Sequence, residues 1–179
     1  MRFLIFVVVI AIGVSATAAV LHFYPGIITT LGQPEDKKQQ VLTISQELRS
    51  GSDGYQQVNV TLNGLVLVAD IAATDEQRTK GLSVKDRLDE NEAMLFVFDY
   101  EAQHTFWMKN MKFPIDIIWI DSDKTVVYIE HNVEPCSSEI FCPVFRPDHD
   151  SLYVLETVGG FAERHDIVKG TMVEFELAA

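Results

Sequence analysis

MLFVFDYEAQHTFWMKNMKFPIDIIWID, from Met94 to Asp121, sets apolar and aromatic side chains at strand spacing and threads polar groups among them. Three strands are expected in it, over Met94 to Phe98, His104 to Lys109 and Ile115 to Ile120. Successive strand residues face opposite ways, so His104, Phe106 and Met108 share one face and Thr105, Trp107 and Lys109 the other. Asp116 is the one carboxylate inside the apolar run Pro114-Ile115-Asp116-Ile117-Ile118-Trp119-Ile120. Burial without partners is costly for such a group, so Asp116 calls for a cation or several hydrogen-bond donors. Lys109 is a cation able to reach it across the turn between the two strands.

Outward from this stretch the chain continues as β-structure. Val58, Val60 and Leu62 alternate with polar residues, and Asn63-Gly64 suits a two-residue turn with positive φ, so Val58 to Ala72 reads as a hairpin. Thr74-Asp75-Glu76-Gln77 has the form of a capping box before a short helix, which Gly81 is placed to end as a left-handed cap. Ser83 to Leu88 is expected to form another helical turn. Thr125 to Glu130 follows the polar turn Asp121-Ser122-Asp123-Lys124 as a strand, and Leu152 to Val158 and Met172 to Leu177 add two more. Gly159 to Asp166 carries turn residues and one helical turn. About eight strands and one or two short helices make an α+β, β-rich fold: a curled antiparallel or mixed sheet, or a small barrel.

With 179 residues and no internal repeat, the chain has room for one compact domain and an attachment segment. Met1-Arg2 followed by the uncharged run Phe3 to Val20 reads as a targeting element, residues 1–24, exported past the membrane. Its apolar length of about 27 Å suits an uncleaved transmembrane anchor. Ala16-Thr17-Ala18 suits a cleaved signal peptide, which is the alternative to the anchor that the span length favours. Pro25-Gly26 and a Gln, Ser, Gly and Lys-rich composition make residues 25–56 a linker or stalk, leaving residues 57–179 as a single extracytoplasmic domain. The net charge of −12 and the lack of a basic run argue against nucleic acid as a partner. Cys136 and Cys142, six positions apart, are expected to form a disulfide in an oxidising compartment. His131 and His149 flank them, but the spacing is wide for zinc and no metal or other cofactor is expected. Neither a phosphate-cradling glycine loop nor a G-x-S-x-G elbow occurs.

Phe106-Trp107-Met108-Lys109-Asn110 followed by Pro114-Ile115-Asp116 forms a specific signature together with Gly81-Leu82, Pro135-Cys136, Cys142-Pro143, Tyr153-Val154-Leu155-Glu156 and Gly159-Gly160. By it the chain resembles domain-of-unknown-function family number 192, also called uncharacterised protein family 0127, from roughly Val58 to Leu177. Ser83, Ala93 and Thr171 depart from what similar proteins tend to carry, Met, Gly and an acidic residue respectively. The resemblance implies no agreed reaction and assigns no residue a role.

Six residues remain as candidates for a ligand site or a polar network: His104, Trp107, Lys109, Asn110, Asp116 and Glu156. Trp107 reads as a core or rim aromatic or as a stacking platform, and Lys109 as a solvated side chain or as a cation for Asp116 or a ligand anion. Asn110 suits a turn, and His104 a satisfied or exposed histidine as well as a base. The leading expectation is a membrane-tethered or secreted extracytoplasmic domain that binds a small ligand, a glycan or an envelope protein. The alternative is a cell-envelope hydrolase in which Asp116 and Glu156 form an acid/base pair, with His104 assisting. A third reading makes these groups a structural network.

Overall fold

A computed structural model of the chain describes residues 54–136 and 141–177. The expected anchor or signal at 1–24, and the linker up to residue 53, lie outside the described residues. All of the latter belong to the unit Arg49–Ala179. Among them no helix is long and apolar enough to cross a membrane.

The elements run β1 (Gln57–Leu62), β2 (Leu65–Ala72), α1 (Asp75–Lys80), a 3-10 turn (Gly81–Val84), β3 (Glu92–Ala102), β4 (Phe106–Trp107), β5 (Ile115–Ile120), β6 (Val126–Val133), β7 (Val144–Phe145), β8 (Ser151–Val158), α2 (Phe161–Arg164) and β9 (Val173–Glu174). Seven strands form one curled mixed sheet in the order β6-β5-β8-β3-β2-β1-β9, a half-barrel, while β4 and β7 pair separately. The expected β-rich α+β fold is thus the one found. β1 and β2 meet through Asn63 (φ 47°) and Gly64 (φ 80°), both positive, as a two-residue turn matched to strand twist demands. β5 and β6 meet through the Asp121–Lys124 turn, where the Asp121 carboxylate accepts from the Thr125 N–H at 2.8 Å.

β2 and β3 run parallel, so a crossover must join them, and α1 with the 3-10 turn supplies it. Thr74 and Gln77 cap α1 reciprocally, as the capping box requires. The crossover seats Leu82 and Leu88 on one sheet face with Met94, Phe96, Ile115, Ile117, Trp119 and Val154. α2 seats Phe161 and Ala162 on the other face with Leu62, Ala69, Leu95, Ile118, Ile120 and Leu155. β5 carries apolar groups to both cores, and all six of its residues are buried.

Several local expectations give way to tertiary demands. The strand expected over His104 to Lys109 contracts to Phe106–Trp107: the His104 carbonyl is taken by the Trp119 indole at 2.8 Å, and Asn110 turns the chain with φ 62°. The strand expected over Met172 to Leu177 contracts to Val173–Glu174, because the Phe175 carbonyl accepts from Lys124 Nζ at 2.6 Å rather than from a strand. The helical turn expected at Ser83 to Leu88 lies earlier, at Gly81–Val84. Gly81 ends α1 with φ 49° and ψ −145°, positive but outside the left-handed helical well.

Candidate functional site

Asp116 is fully buried, and both carboxylate oxygens are engaged by backbone. Oδ1 accepts from the N–H of Asn132 at 2.7 Å and of Gly160 at 2.8 Å, and Oδ2 from the N–H of Ala162 at 2.7 Å. The side chain therefore caps α2 from a neighbouring strand, because Gly160, the residue at the cap position, has no side chain to do so. Gly159 and Gly160 make this geometry accessible. A Cβ on Gly159 would lie 2.6 Å from Asn132 Oδ1, and Gly160 holds φ at 76°. Several donors, and not Lys109, satisfy this carboxylate. Lys109 Nζ instead lies over the Trp107 ring, 5.6 Å from its centre.

The opposite face of the sheet carries an open cavity of about 480 Å³, bounded by α1, the 3-10 turn, β3, β4 and β8. Phe96 and Phe98 of β3, and Phe106 and Trp107 of β4, form its aromatic surface. Phe106 meets Phe96 edge-on at 4.9 Å, while Trp107 is 53 % exposed and stands at the rim. Arg78 fastens the helical wall: it donates to the carbonyls of Ala73 and Val97, pairs with Asp75 at 2.6 Å and covers Phe98.

Glu156 also lines the cavity, only 4 % exposed, and its Oε2 has no hydrogen-bond partner. In the sheet it lies between Met94 of β3 and Ile117 of β5, both buried and apolar. Removal from water pushes its carboxyl up to about 8, so it holds its proton at neutral pH. Asp70, two strands away in the same row, shows the contrasting solution: Lys85 meets it at 2.8 Å and Gln57 Nε2 at 2.9 Å.

Asp116 and Glu156 do not form a pair. Ile117 stands opposite Glu156 and Asp116 opposite Thr157, so the two carboxyls project from opposite faces with the sheet between them. His104 does not line the cavity; it stacks on Phe98 with ring centres 3.5 Å apart, and its Nε2 lies 3.1 Å from the Tyr100 carbonyl. Burial lowers its pKa, opposed by that hydrogen bond and reinforced by the Arg78 charge.

Cys136 and Cys142 are both half-buried. Burial and then the adjacent Cys136 push the Cys142 thiol up, and Cys136 Sγ lies 3.5 Å from the Phe141 carbonyl. Among the described residues no group of three or more His, Cys, Asp or Glu is arranged to hold a metal ion.

The model of domain-of-unknown-function family number 192, described as Uncharacterized ACR, matches residues 58–175. The chain belongs to that family. Two solved structures resemble this family-192 domain. A protein of unknown function from Novosphingobium aromaticivorans is 33 % identical, with TM-score 0.62 over 69 % of this chain and 88 % of its own. A protein described as a putative transcription regulator, from Sinorhizobium meliloti, is 29 % identical, with TM-score 0.62 over 68 % of this chain and 95 % of its own. No curated protein matches the chain.

Of the six candidates in this family-192 domain, Trp107, Lys109 and Glu156 come together at the cavity. His104 supports its wall, Asn110 forms the turn beside Lys109, and Asp116 caps α2 on the far face. Sequence reasoning missed Arg78, Phe96 and Phe98 as lining residues. The capping box beside Arg78 and the aromatic alternation of β3 mark their elements; neither says that the crossover brings α1 over that end of the sheet.

Proposed function

We propose that this domain is a binding module that takes a small ligand into the cavity between α1, β3 and β4, on the extracytoplasmic side of a membrane. The observation that carries the reading is Glu156: a buried carboxyl, with one oxygen unpartnered, lines an open aromatic-walled cavity. A buried polar atom without a partner costs about 1–3 kcal/mol, which a ligand reaching it would recover. A cavity of a few hundred Å³ with an apolar wall and few polar groups is the usual form of a small-molecule site. An acid/base pair of Asp116 and Glu156 finds no support in the geometry, since Asp116 is consumed by α2.

Trp107 provides the test. It is exposed at the rim, whereas Trp119 is fully buried, so ligand entry should change the fluorescence of one indole and not the other. Trp107→Ala is expected to remove that signal and weaken binding by about 1–2 kcal/mol while leaving the melting temperature within a few degrees. An unchanged affinity in a folded Trp107→Ala variant would remove the rim from the binding site.

Export and tethering are proposed on the apolar run Phe3 to Val20, and the disulfide on the adjacency of Cys136 and Cys142. An intact-mass measurement on protein isolated from its own cells reads both: removal of the leader at Ala18, and loss of two hydrogens on oxidation. Closing this loop should add about 2 kcal/mol, so reduction is expected to lower the melting temperature by several degrees. Two free thiols in the isolated protein would refute the disulfide.

A further inference from the structure

The charges around the cavity are not balanced. Arg78 is paired with Asp75 at 2.6 Å and Lys80 with Glu76 at 2.8 Å. Lys109 is different: it lines the cavity, its Nζ lies over the Trp107 ring, and among the described residues no carboxylate meets it. In a chain of net charge −12 a cation left unmatched beside a cavity is notable, since acidic partners are plentiful. The other acid of the cavity, Glu156, has an unpartnered oxygen and no cation beside it. Held as the neutral acid, it donates a hydrogen bond and does not repel an anion. One end of the cavity therefore offers positive charge over an indole, and its buried end offers an O–H donor.

We infer that the ligand is a small ring bearing a carboxylate, its ring against Trp107 and Phe106, its anionic group at Lys109, and an acceptor atom at Glu156. This rests on the binding reading above. An aromatic acid and a sugar acid share that chemistry, because aromatic side chains stack on either kind of ring. A cationic amine fits worse: it would approach Lys109 and would require Glu156 to give up its proton in an apolar setting.

The charged groups that face Glu156 across the cavity are Asp75, Arg78 and Lys80 from α1 and Lys109 from the segment after β4, and along the sheet Asp70 with Lys85. Asp75 neutralises Arg78, Glu76 neutralises Lys80 and Lys85 closes an ion pair with Asp70, so Glu156 is the group whose titration changes the cavity near pH 8.

The test is a titration of the full chain, followed by Trp107 fluorescence and calorimetry, with phenylacetate and glucuronate, their neutral counterparts phenylacetamide and glucose, and the amine 2-phenylethylamine. One carboxylate, and thereby the ring type, should bind at least about tenfold more tightly than its neutral counterpart, and Lys109→Gln should erase that preference without weakening the neutral probe. From pH 7 to pH 9 the affinity for that carboxylate should fall about tenfold as Glu156 ionises. Glu156→Gln, which keeps a donor, should bind the carboxylate with little pH dependence. Equal affinity for carboxylate and neutral probes, or a preference unaffected by Lys109→Gln, overturns the anion assignment and leaves the binding site standing. Tighter binding of the amine, strengthening as pH rises, overturns it in favour of a cationic ligand. Absence of a saturable signal from every probe counts against the binding reading itself.

Discussion

Asp116→Ala should lower the melting temperature of the domain by about 15–25 °C or leave it unfolded at 37 °C. Three backbone N–H groups on two separate segments donate to this one carboxylate, and all three lose their acceptor together. Hydrogen bonds to a charged acceptor contribute about 1.5–3 kcal/mol each, and a cap on a buried helix end adds to the same account. A summed loss of about 4–6 kcal/mol is a large part of the 5–15 kcal/mol that holds a typical domain. At about 4 °C per kcal/mol for a domain of this size the shift follows. Asp116→Asn keeps one acceptor oxygen but turns an amide toward a donor, so it should fall roughly halfway. Thermal melts of the two variants beside wild type decide the matter. If Asp116→Ala melts within a few degrees of wild type, the carboxylate is not what holds α2 and the irregular end of β6 at Asn132 in place, and a role in chemistry would have to be sought for it again.

How far the sequence reaches is visible in this same residue. A lone carboxylate among Ile115, Ile117, Ile118 and Ile120 announces a buried charge in need of donors. That the donors come from residues 16, 44 and 46 positions away does not follow from any local pattern, because it depends on β8 pairing with β5 and on α2 folding back over the sheet. Features whose cause is local were readable: the Asn63-Gly64 turn, the Thr74–Gln77 capping box, and the Asp121–Lys124 turn. Two-residue pairing of Phe106–Trp107 with Val144–Phe145 was not, since each strand is too short to show a period. The relative placement of Asp116 and Glu156 is the sharpest case. Both sit in apolar strands and look equivalent in sequence, yet strand register assigns them to opposite faces, one as a cap and the other as a cavity group. Register is a property of two strands at once, and neither strand carries it alone.

Glu156 gives the second large effect, and it is one of pH. In the unfolded chain the carboxyl titrates near 4.5, while in the folded domain burial holds it up to about 8. Between those values the folded state keeps a proton that the unfolded state has released, so raising the pH favours unfolding. The stability contributed by this group is whole below about pH 4.5, declines through the interval and levels off above about pH 8. At about 1.4 kcal/mol per pH unit the decline reaches about 3 kcal/mol by neutrality. Glu156→Gln has no proton to lose. In urea unfolding of the full chain, the variant and wild type should therefore differ little at pH 5, and the variant should be the more stable by about 3 kcal/mol at pH 7 and about 4 kcal/mol at pH 8. His104, whose pKa lies below its ordinary value, acts in the opposite sense on acidification, but it is common to both proteins and drops out of their difference. Parallel stability curves from pH 5 to pH 8 would mean that Glu156 is ionised in the folded domain, with a cation or water reaching its buried oxygen. Divergence above pH 5 would instead show that the domain sacrifices stability at neutral pH to keep a protonated acid in an open cavity. An apolar residue at this position would fill the same row between Met94 and Ile117 without that loss, and this cost is the ground on which the proposed ligand site rests.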